Sequence, residues 1–276
     1  MIRRLANLAR VLWRALRLSA ALAVAGADYL LTLRVMGQSR SIPAKARWMQ
    51  RQSRRLLRVL AVEPVYQGEP PPEGVLVSNH LSYLDILVLG ARQPLVFISK
   101  HEVIHWPVFG ALARRAGTLF IRRGVRTDVA RIAKETPRIV HAGVPLAFFP
   151  EGTSSDGESV LPFHSPLLNP AVRHQWPVTP AAIRYSLAPE DGDPREAVAY
   201  WGEMTFGTHL LGLMEKRRID VLVQYGEPEA PGEDREELAN RLHRRVARFN
   251  RRNPHTTNRS QGLLKFETID AFENPD

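Results

Sequence analysis

The stretch VLVSNHLSYLD at residues 75–85 decides how this chain is organised. Its first four residues are apolar or small and of strand length, which predicts a buried strand. Asn79 and His80 then stand at the carboxyl end of that strand, where α/β folds place their ligands. Asp85 follows five residues after His80. A helix that begins near Ser82, with Ser82 as N-cap, would let the Asp85 carboxylate fold back to the imidazole.

An imidazole paired with a carboxylate is suited to general-base catalysis. The neutral ring of His80 can take a proton from an attacking hydroxyl, while Asp85 fixes the tautomer and stabilises the imidazolium that forms. Ser82 lacks the G-x-S-x-G setting of a serine nucleophile, so no covalent intermediate is required. We therefore predict His80 and Asp85 as the catalytic pair, with a purely structural His–Asp pair as the alternative.

A second motif, FPEGTSSDG at residues 149–157, also follows an apolar strand-length run. Gly152 lets the backbone approach a ligand, and Thr153 and Ser154 add hydroxyl donors beside the Glu151 carboxylate. Such a turn could hold an anion or a hydroxyl group, and the alternative is an ordinary turn.

A third motif, GTLFIRR at residues 117–123, is a short apolar run that ends in Arg122 and Arg123. Arginine is the residue best suited to bidentate capture of phosphate or carboxylate. The structural alternative is a solvated pair of arginines at a strand end.

Strand-length apolar runs alternate with helical patterns through the body of the chain. This alternation predicts an α/β fold with a mixed sheet flanked by helices. The predicted strands are Val75–Ser78, Leu95–Ser99, Thr118–Ile121, Leu146–Phe149, Val178–Arg184, Val198–Thr205 and Asp220–Tyr225. The predicted helices are Tyr83–Arg92, Pro107–Arg115, Thr127–His141, Pro166–Arg173, Leu210–Lys216 and Arg235–Arg251.

The positive charge of the chain is concentrated at its N-terminus. The net charge is +10, yet residues 1–58 hold 13 Lys or Arg and one acid, while the other residues hold 25 bases and 27 acids. The sequence therefore divides into a basic amphipathic segment (1–66), an α/β domain (67–252) and a peripheral tail (253–276). A basic segment with Leu and Trp residues points to an anionic membrane surface.

Two helices are predicted in this basic segment. Residues 18–33 are apolar apart from Asp28, but sixteen residues fall short of the roughly 20 that span a bilayer. Residues 44–60 place Trp48, Ser53, Leu56, Leu57 and Leu60 on one face among arginines, which is typical of a helix lying in the membrane interface. The alternatives are a signal peptide cleaved near Ala25-Gly26-Ala27, a nucleic-acid-binding helix, and a helix packed on the body. We expect no nucleic-acid partner, because the rest of the chain carries no nucleic-acid motif.

The string HEVIH at residues 101–105 matches the zincin pattern His-Glu-x-x-His and raises the remote alternative of a zinc metalloprotease. A zincin needs His101 and His105 on one face of a continuing helix, together with a third ligand. Trp106-Pro107 follows at once, which disfavours a continuing helix. We therefore expect no metal site, and the absence of cysteine excludes thiolate ligands and disulfides.

Taken together, the motifs resemble those of the glycerolipid acyltransferases typified by 1-acyl-glycerol-3-phosphate acyltransferase. That family carries four ordered blocks: Asn-His-x4-Asp, Gly-x-x-Phe-Ile-x-Arg, Phe-Pro-Glu-Gly-Thr-Arg-Ser and a Pro-flanked apolar stretch. The matching positions are Asn79, His80 and Asp85; Gly117, Phe120, Ile121 and Arg123; Phe149 to Thr153 and Ser155; and Pro177, Pro180 and Ile183.

The resemblance implies transfer of an acyl group from acyl-CoA or acyl carrier protein to a lysolipid hydroxyl, with His80 as base and no further cofactor. It implies an N-terminal helical pair in the cytoplasmic leaflet, on the bacterial inner membrane. Lys100 and Glu102 would lie near the acyl-donor groove. The acceptor would be held by Asn79, Gly117, Phe120, Arg122, Arg123, Glu151, Gly152, Thr153 and Ser154.

One position departs from the family pattern. The family's Arg after Pro-Glu-Gly-Thr is Ser154 here, which removes a cation from the expected headgroup site. We therefore keep two acceptors open, a lysophosphatidate and a lyso-ornithine lipid that has no phosphate. An alternative of another class is a non-catalytic protein that only binds the membrane surface.

Overall fold

The computed structural model describes residues 2–251 as a seven-stranded sheet flanked by helices. The strands are β1 (Val62–Gln67), β2 (Val75–Ser78), β3 (Val96–Lys100), β4 (Leu119–Ile121), β5 (Leu146–Phe148), β6 (Val178–Ser186) and β7 (Ile219–Tyr225). The α-helices are α1 (Ile2–Tyr29), α2 (Ile42–Leu60), α3 (Leu84–Arg92), α4 (Phe109–Ala116), α5 (Arg126–Val140), α6 (Asn169–His174), α7 (Pro194–Ala197), α8 (Phe206–Glu215) and α9 (Arg235–Arg251). The predicted tail at 253–276 lies outside the described residues.

The sheet has the strand order β1-β7-β6-β2-β5-β3-β4. β6 and β7 are antiparallel and every other neighbouring pair is parallel, so β1 and β7 run opposite to the other five strands. The mixed α/β fold predicted from the sequence is confirmed. Because β2, β5, β3 and β4 are parallel, the residues that follow them all lie at the same end of the sheet, where these four strands have their carboxyl ends. We call this end the sheet edge.

Apolar layers cover both faces of the sheet. Leu76 in β2 packs into the layer formed with α1, α2, α3 and α8, whereas its neighbours Val75 and Val77 pack into the layer formed with α5, α6 and α9. Successive side chains of a strand point to opposite faces, so a strand buried on both faces must be apolar throughout. This is why residues 75–78 form a continuous apolar run rather than an alternating one.

Two strand assignments from the sequence need correction. Val198–Thr205 is not a strand, because it forms an irregular segment whose Tyr200 N–H donates to Leu81 O at 2.7 Å. Conversely, β1 was not predicted, and it pairs in parallel with β7 at the edge of the sheet. Pro64 obscured this strand, since proline is tolerated only on an edge. The sheet therefore begins at Val62, within the segment that the sequence assigned to the membrane.

The N-terminal helix exposes a long apolar face. Residues 4–35, which comprise α1 and a π-helical turn at Leu30–Val35, are long and apolar enough to cross a membrane by length and composition, although the sequence suggested a shorter run. The exposed side chains include Leu5, Leu8, Leu12, Trp13 and Leu16, spaced along one side of the helix.

The opposite side of α1 is fastened to the body of the protein. Arg14 is buried, and its guanidinium donates to the backbone oxygens of Met214, Lys216 and Arg217 at the C-terminal end of α8. Asp28, the acid inside the apolar run, pairs with Arg51 of α2 at 3.0 Å. Both polar residues therefore serve contacts with the body and leave the outer face of α1 apolar.

The second helix does not present its apolar face to lipid. The residues expected on that face, Trp48, Ser53, Leu56, Leu57 and Leu60, are all buried. They pack against α1, α3 and the sheet, so the alternative of a helix packed on the body describes α2 better than an interfacial helix does. The surface available to a membrane in this helical pair belongs to α1.

Candidate active site

The turn between β2 and α3 is folded around the carboxylate of Asp85. Asp85 is fully buried, and its Oδ2 accepts hydrogen bonds from the backbone N–H groups of Leu81 at 2.7 Å and Ser82 at 2.9 Å. Ser82 is not the N-cap that the sequence predicted, because α3 begins at Leu84 and the Ser82 hydroxyl makes no side-chain cap. The carboxylate of Asp85 itself satisfies the free N–H groups of this turn.

The same carboxylate oxygen holds the ring of His80. The distance from His80 Nδ1 to Asp85 Oδ2 is 2.8 Å. The imidazole also stacks on Phe149, with ring centroids 4.0 Å apart and planes inclined by 9°. Nε2 has no hydrogen-bond partner within residues 2–251, and 19% of the His80 side chain is exposed. The ring is thus held by one nitrogen and one face, and the other nitrogen is free for a substrate.

Glu151 supports the backbone of His80 from the neighbouring strand. Its Oε1 accepts the N–H of His80 at 2.8 Å, and its Oε2 accepts the N–H of Leu161 at 3.1 Å. Only 3% of Glu151 is exposed. Both oxygens of Glu151 accept from backbone donors, so the residue positions His80, and its predicted contact with substrate stays a prediction.

Asn79 has a structural role, and its predicted contact with substrate stays a prediction. Its side-chain amide donates to Ile183 O at 3.0 Å and accepts the Ile183 N–H at 2.8 Å. These two bonds extend the pairing of β2 with β6 by one residue beyond the end of β2, and they use the side chain of Asn79 in place of its backbone. Asn79 is 1% exposed, and both polar atoms of its amide take part in these two bonds.

Two residues of the site were not assigned a role from the sequence. Phe149 forms the wall against which the imidazole stacks, and Tyr185 in β6 donates its hydroxyl to Asp85 Oδ1 at 2.7 Å. Phe149 belongs to the second motif, but a sequence motif does not show that its ring would stack on the ring of His80. Tyr185 is 100 residues from Asp85 in the chain, and no spacing rule could have joined them.

The turn after β5 closes over the start of the catalytic segment. Gly152 has a φ of +70°, and an added Cβ would lie 3.2 Å from the His164 ring, so the position requires glycine. Its N–H donates to Phe149 O at 3.1 Å, so this N–H is not free to bind an oxyanion. Thr153 is exposed, whereas the Ser154 hydroxyl donates to Tyr200 O.

The two arginines after β4 differ in their surroundings. Arg122 forms a bidentate ion pair with Asp128, with distances of 2.9 and 3.0 Å, so it is not a free ligand for substrate. Arg123 is exposed and forms no ion pair within the described part of the chain. β4 is three strands from β2, which places this arginine about 14 Å from His80 along the sheet edge.

The remaining residues of the third motif have structural positions. Gly117 ends α4 in the left-handed conformation, with a φ of +84°. Phe120 lies within β4, is partly buried and accepts a hydrogen bond from Arg131 at its backbone oxygen. Direct contact of either residue with substrate stays a prediction.

The residues after β3 do not form a zincin site. His101–His105 is a 3₁₀-helix, in which residues four apart point about 120° away from each other. The two histidine rings are 6.0 Å apart, and residues 2–251 offer no group of three His, Asp or Glu side chains that could hold a metal ion. The ammonium nitrogen of Lys100 lies 5.9 Å from the centroid of the Trp106 ring, and Glu102 is exposed. Their proximity to an acyl donor stays a prediction.

The buried carboxyl group of Glu151 predicts a pH dependence of stability. Its pKa is raised to about 7 by burial, which is the largest cause, and by the negative charge of Asp85. The hydrogen bonds from His80 and Leu161 act in the opposite direction and lower the pKa. The folded protein therefore holds this proton more tightly than the unfolded chain does. Its contribution to the free energy of unfolding is full below about pH 4.5 and is lost as the pH rises through about 7.

We expect the free energy of unfolding of the native chain, relative to the Glu151→Gln variant, to fall by about 2–3 kcal/mol between pH 5 and pH 8. Glutamine cannot ionise and keeps one of the two acceptors. Denaturant unfolding in detergent at the two pH values measures the difference. A difference that does not change with pH would contradict the assignment.

The geometry of this site fits removal of a proton from a hydroxyl. His80 has an oriented ring, a free Nε2 and a buried carboxylate on the opposite nitrogen, which are the parts of a general base. Ser82 has a fully buried hydroxyl with no hydrogen-bond partner in the described chain, so it is not activated as a nucleophile. The arrangement therefore supports direct attack by a second substrate.

Comparisons with known proteins show which families and proteins this chain is similar to. The Acyltransferase family model matches residues 62–184, from the start of β1 into β6. The chain is 40% identical to a lyso-ornithine lipid O-acyltransferase of Pseudomonas aeruginosa, over 75% of this chain and 80% of that protein. It is 33% identical to a 1-acyl-sn-glycerol-3-phosphate acyltransferase of Neisseria gonorrhoeae, over 57% of this chain and 62% of that protein.

The fold has a counterpart among solved structures. The crystal structure of the 1-acyl-sn-glycerophosphate (LPA) acyltransferase PlsC from Thermotoga maritima superimposes with a TM-score of 0.65. The match covers 90% of this chain and 96% of that protein at 20% sequence identity, and at this level of identity it supports the fold.

Proposed function

This chain belongs to the acyltransferase family and is a lysolipid O-acyltransferase, and from that premise we propose that its acceptor is a lyso-ornithine lipid. The observation that carries the proposal is that the Ser154 hydroxyl already makes a hydrogen bond within the protein. It donates to Tyr200 O, so the turn after β5 offers neither the arginine of the family pattern nor a free hydroxyl in its place. An acceptor without a phosphate monoester fits such a turn.

The relatives support the same acceptor. Proteins named lyso-ornithine lipid O-acyltransferase from Pseudomonas aeruginosa and Brucella abortus share 40% and 35% identity with this chain, over 80% and 74% of their own lengths. The relative from Neisseria gonorrhoeae named for a phosphate-bearing acceptor is 33% identical over a shorter match.

In the proposed reaction the acceptor hydroxyl hydrogen-bonds to Nε2 of His80 and attacks the carbonyl carbon of a thioester. The new C–O bond forms, the C–S bond breaks, and the hydroxyl proton passes through His80 to the leaving thiolate. Acyl-CoA or acyl carrier protein supplies the thioester. No further cofactor is needed, because the donor brings its own leaving group.

We place the enzyme on the cytoplasmic face of the bacterial inner membrane. The apolar outer face of α1 would contact lipid, and anionic headgroups would attract exposed basic residues of positions 1–58, such as Arg4 and Arg17. Basic residues beside an apolar helix are retained on the cytoplasmic side. Both thioester donors are also cytoplasmic compounds.

Lysophosphatidate is the second candidate acceptor. Arg123 is exposed, carries no partner within the described chain, and stands at the carboxyl end of β4 on the same sheet edge as His80. A phosphate held there would lie across the ends of β5 and β3 from the catalytic ring.

A panel assay separates the two acceptors. The full chain in liposomes is given labelled acyl-CoA or acyl carrier protein, with lyso-ornithine lipid or lysophosphatidate. We expect kcat/KM to be at least about tenfold higher for lyso-ornithine lipid, the factor that one missing charge contact accounts for. A preference for lysophosphatidate would contradict the proposed acceptor.

The Ser154→Arg variant restores the cation of the family pattern, and we expect it to raise the use of lysophosphatidate relative to lyso-ornithine lipid. The matched control is Ser154→Ala, which removes the bond to Tyr200 without adding charge. Equal ratios in the two variants would show that position 154 does not select the headgroup.

A further inference from the structure

The carboxylate of Asp85 is held on both of its oxygens. Oδ2 accepts from His80, Leu81 and Ser82, which all belong to the turn that contains the base. Oδ1 accepts one hydrogen bond, 2.7 Å long, from the hydroxyl of Tyr185 in β6. The tyrosine is thus the one donor from outside the turn within the described residues.

Tyr185 can act only as a donor in this contact. It is 6% exposed, and burial raises the pKa of its hydroxyl well above its ordinary value, with the negative charge of Asp85 as a second cause. The phenol therefore stays protonated over the pH range in which enzymes are assayed. The other titratable groups that face this pair are Tyr66 and Tyr83 toward the phenol and Glu151 toward the carboxylate.

We propose that Tyr185 is a positioning residue that sets the strength of the pair between Asp85 and His80. The inference rests on the proposed function, in which His80 is the base. The tyrosine fixes the orientation of the carboxylate and draws part of its negative charge toward Oδ1. This leaves a weaker counter-charge facing the imidazole and holds the ring in one orientation, which favours the neutral form that acts as a base.

Replacement of Tyr185 by phenylalanine removes the donor and leaves the ring in place. The carboxylate can then turn, and its charge faces the imidazole more fully, which favours the imidazolium. We expect kcat to fall about tenfold, because a carboxylate that can turn no longer holds the ring in one orientation. KM for the lysolipid should stay within about twofold, and the acidic limb of the pH–rate profile should move to higher pH by about half a unit.

Tyr225 offers a matched control. It lies in β7, it is 5% exposed, and its hydroxyl has no hydrogen-bond partner within residues 2–251. Tyr225→Phe therefore removes a buried phenol hydroxyl from the same sheet without touching Asp85. We expect its kcat and pH profile to match those of the native chain.

The measurement is kcat, KM and the pH–rate profile of the native chain, both tyrosine variants and His80→Ala, each per mole of folded protein. A Tyr185→Phe profile that superimposes on the native one overturns the inference, and so does a loss of kcat without movement of the acidic limb, which a structural role alone would give. If His80→Ala keeps native turnover, the proposed function fails instead, so the two failures are distinguishable.

Discussion

The His80→Ala variant is expected to lower the rate of acyl transfer by about 10³- to 10⁴-fold while the chain still folds and binds membranes. General-base catalysis contributes up to about 10⁴-fold, and no other side chain of the described site is placed to take the proton. His80 is 19% exposed and its ring packs on Phe149 at the sheet edge, so its loss leaves both apolar layers intact. The α1 surface is unaffected, because it lies on another part of the molecule.

Single-turnover transfer from a labelled thioester to the lysolipid measures the chemical step, and co-sedimentation with liposomes measures binding. His141→Ala is the matched control, because this histidine is exposed at the end of α5, away from the site, and the variant should keep native turnover. Native turnover in His80→Ala would exclude the mechanism and would favour a non-catalytic role at the membrane surface.

The Asp85→Asn variant is expected to lower kcat by about 10²- to 10³-fold with a small effect on KM. Asparagine has the same shape as the aspartate and can still accept hydrogen bonds from Leu81 and Ser82, so the turn should persist. The same oxygen faces His80 Nδ1, so what is lost is the charge that stabilises the imidazolium. The contrast between a large kcat effect and a small KM effect is the signature of an interaction made in the transition state.

The pH–rate profile adds a second test of this variant. Removal of the Asp85 charge disfavours the imidazolium, so the acidic limb should move to lower pH, opposite to the shift expected for Tyr185→Phe. Stability measured by thermal unfolding separates this effect from a loss of folded protein. A fall in kcat that matches the unfolded fraction would mean that Asp85 acts only in the fold.

The contact between His80 and Asp85 illustrates what spacing in a sequence can reveal. Because Asn79 and His80 follow a buried strand, and Asp85 lies one helical turn further on, the chain geometry allows few other arrangements of the two side chains. The distance from His80 Nδ1 to Asp85 Oδ2 is 2.8 Å in the structure. Contacts within one turn are local, and local contacts are the ones that spacing predicts.

Contacts between different helices and strands could not be predicted from the sequence. Asn79 and Glu151 read as substrate ligands because both are polar and adjoin a motif, yet each is buried and satisfies backbone groups of a neighbouring segment. Arg122 and Arg123 are indistinguishable as sequence, and only the packing of α5 against β4 brings Asp128 to one of them. The apolar face of α2 has the composition of a membrane-binding helix and is covered by protein.

The sequence by itself determined the alternation of strands and helices, the His80–Asp85 pair, and the separation of a basic N-terminus from a body of nearly balanced charge. These follow from periodicity, spacing and charge, which act over a few residues. The tertiary structure alone decided which polar residues are free to meet a substrate, which apolar helix face is exposed, and that Tyr185 contacts Asp85 from 100 residues away. Burial and hydrogen-bond partners across a sheet depend on which strands become neighbours, and no local pattern carries that information.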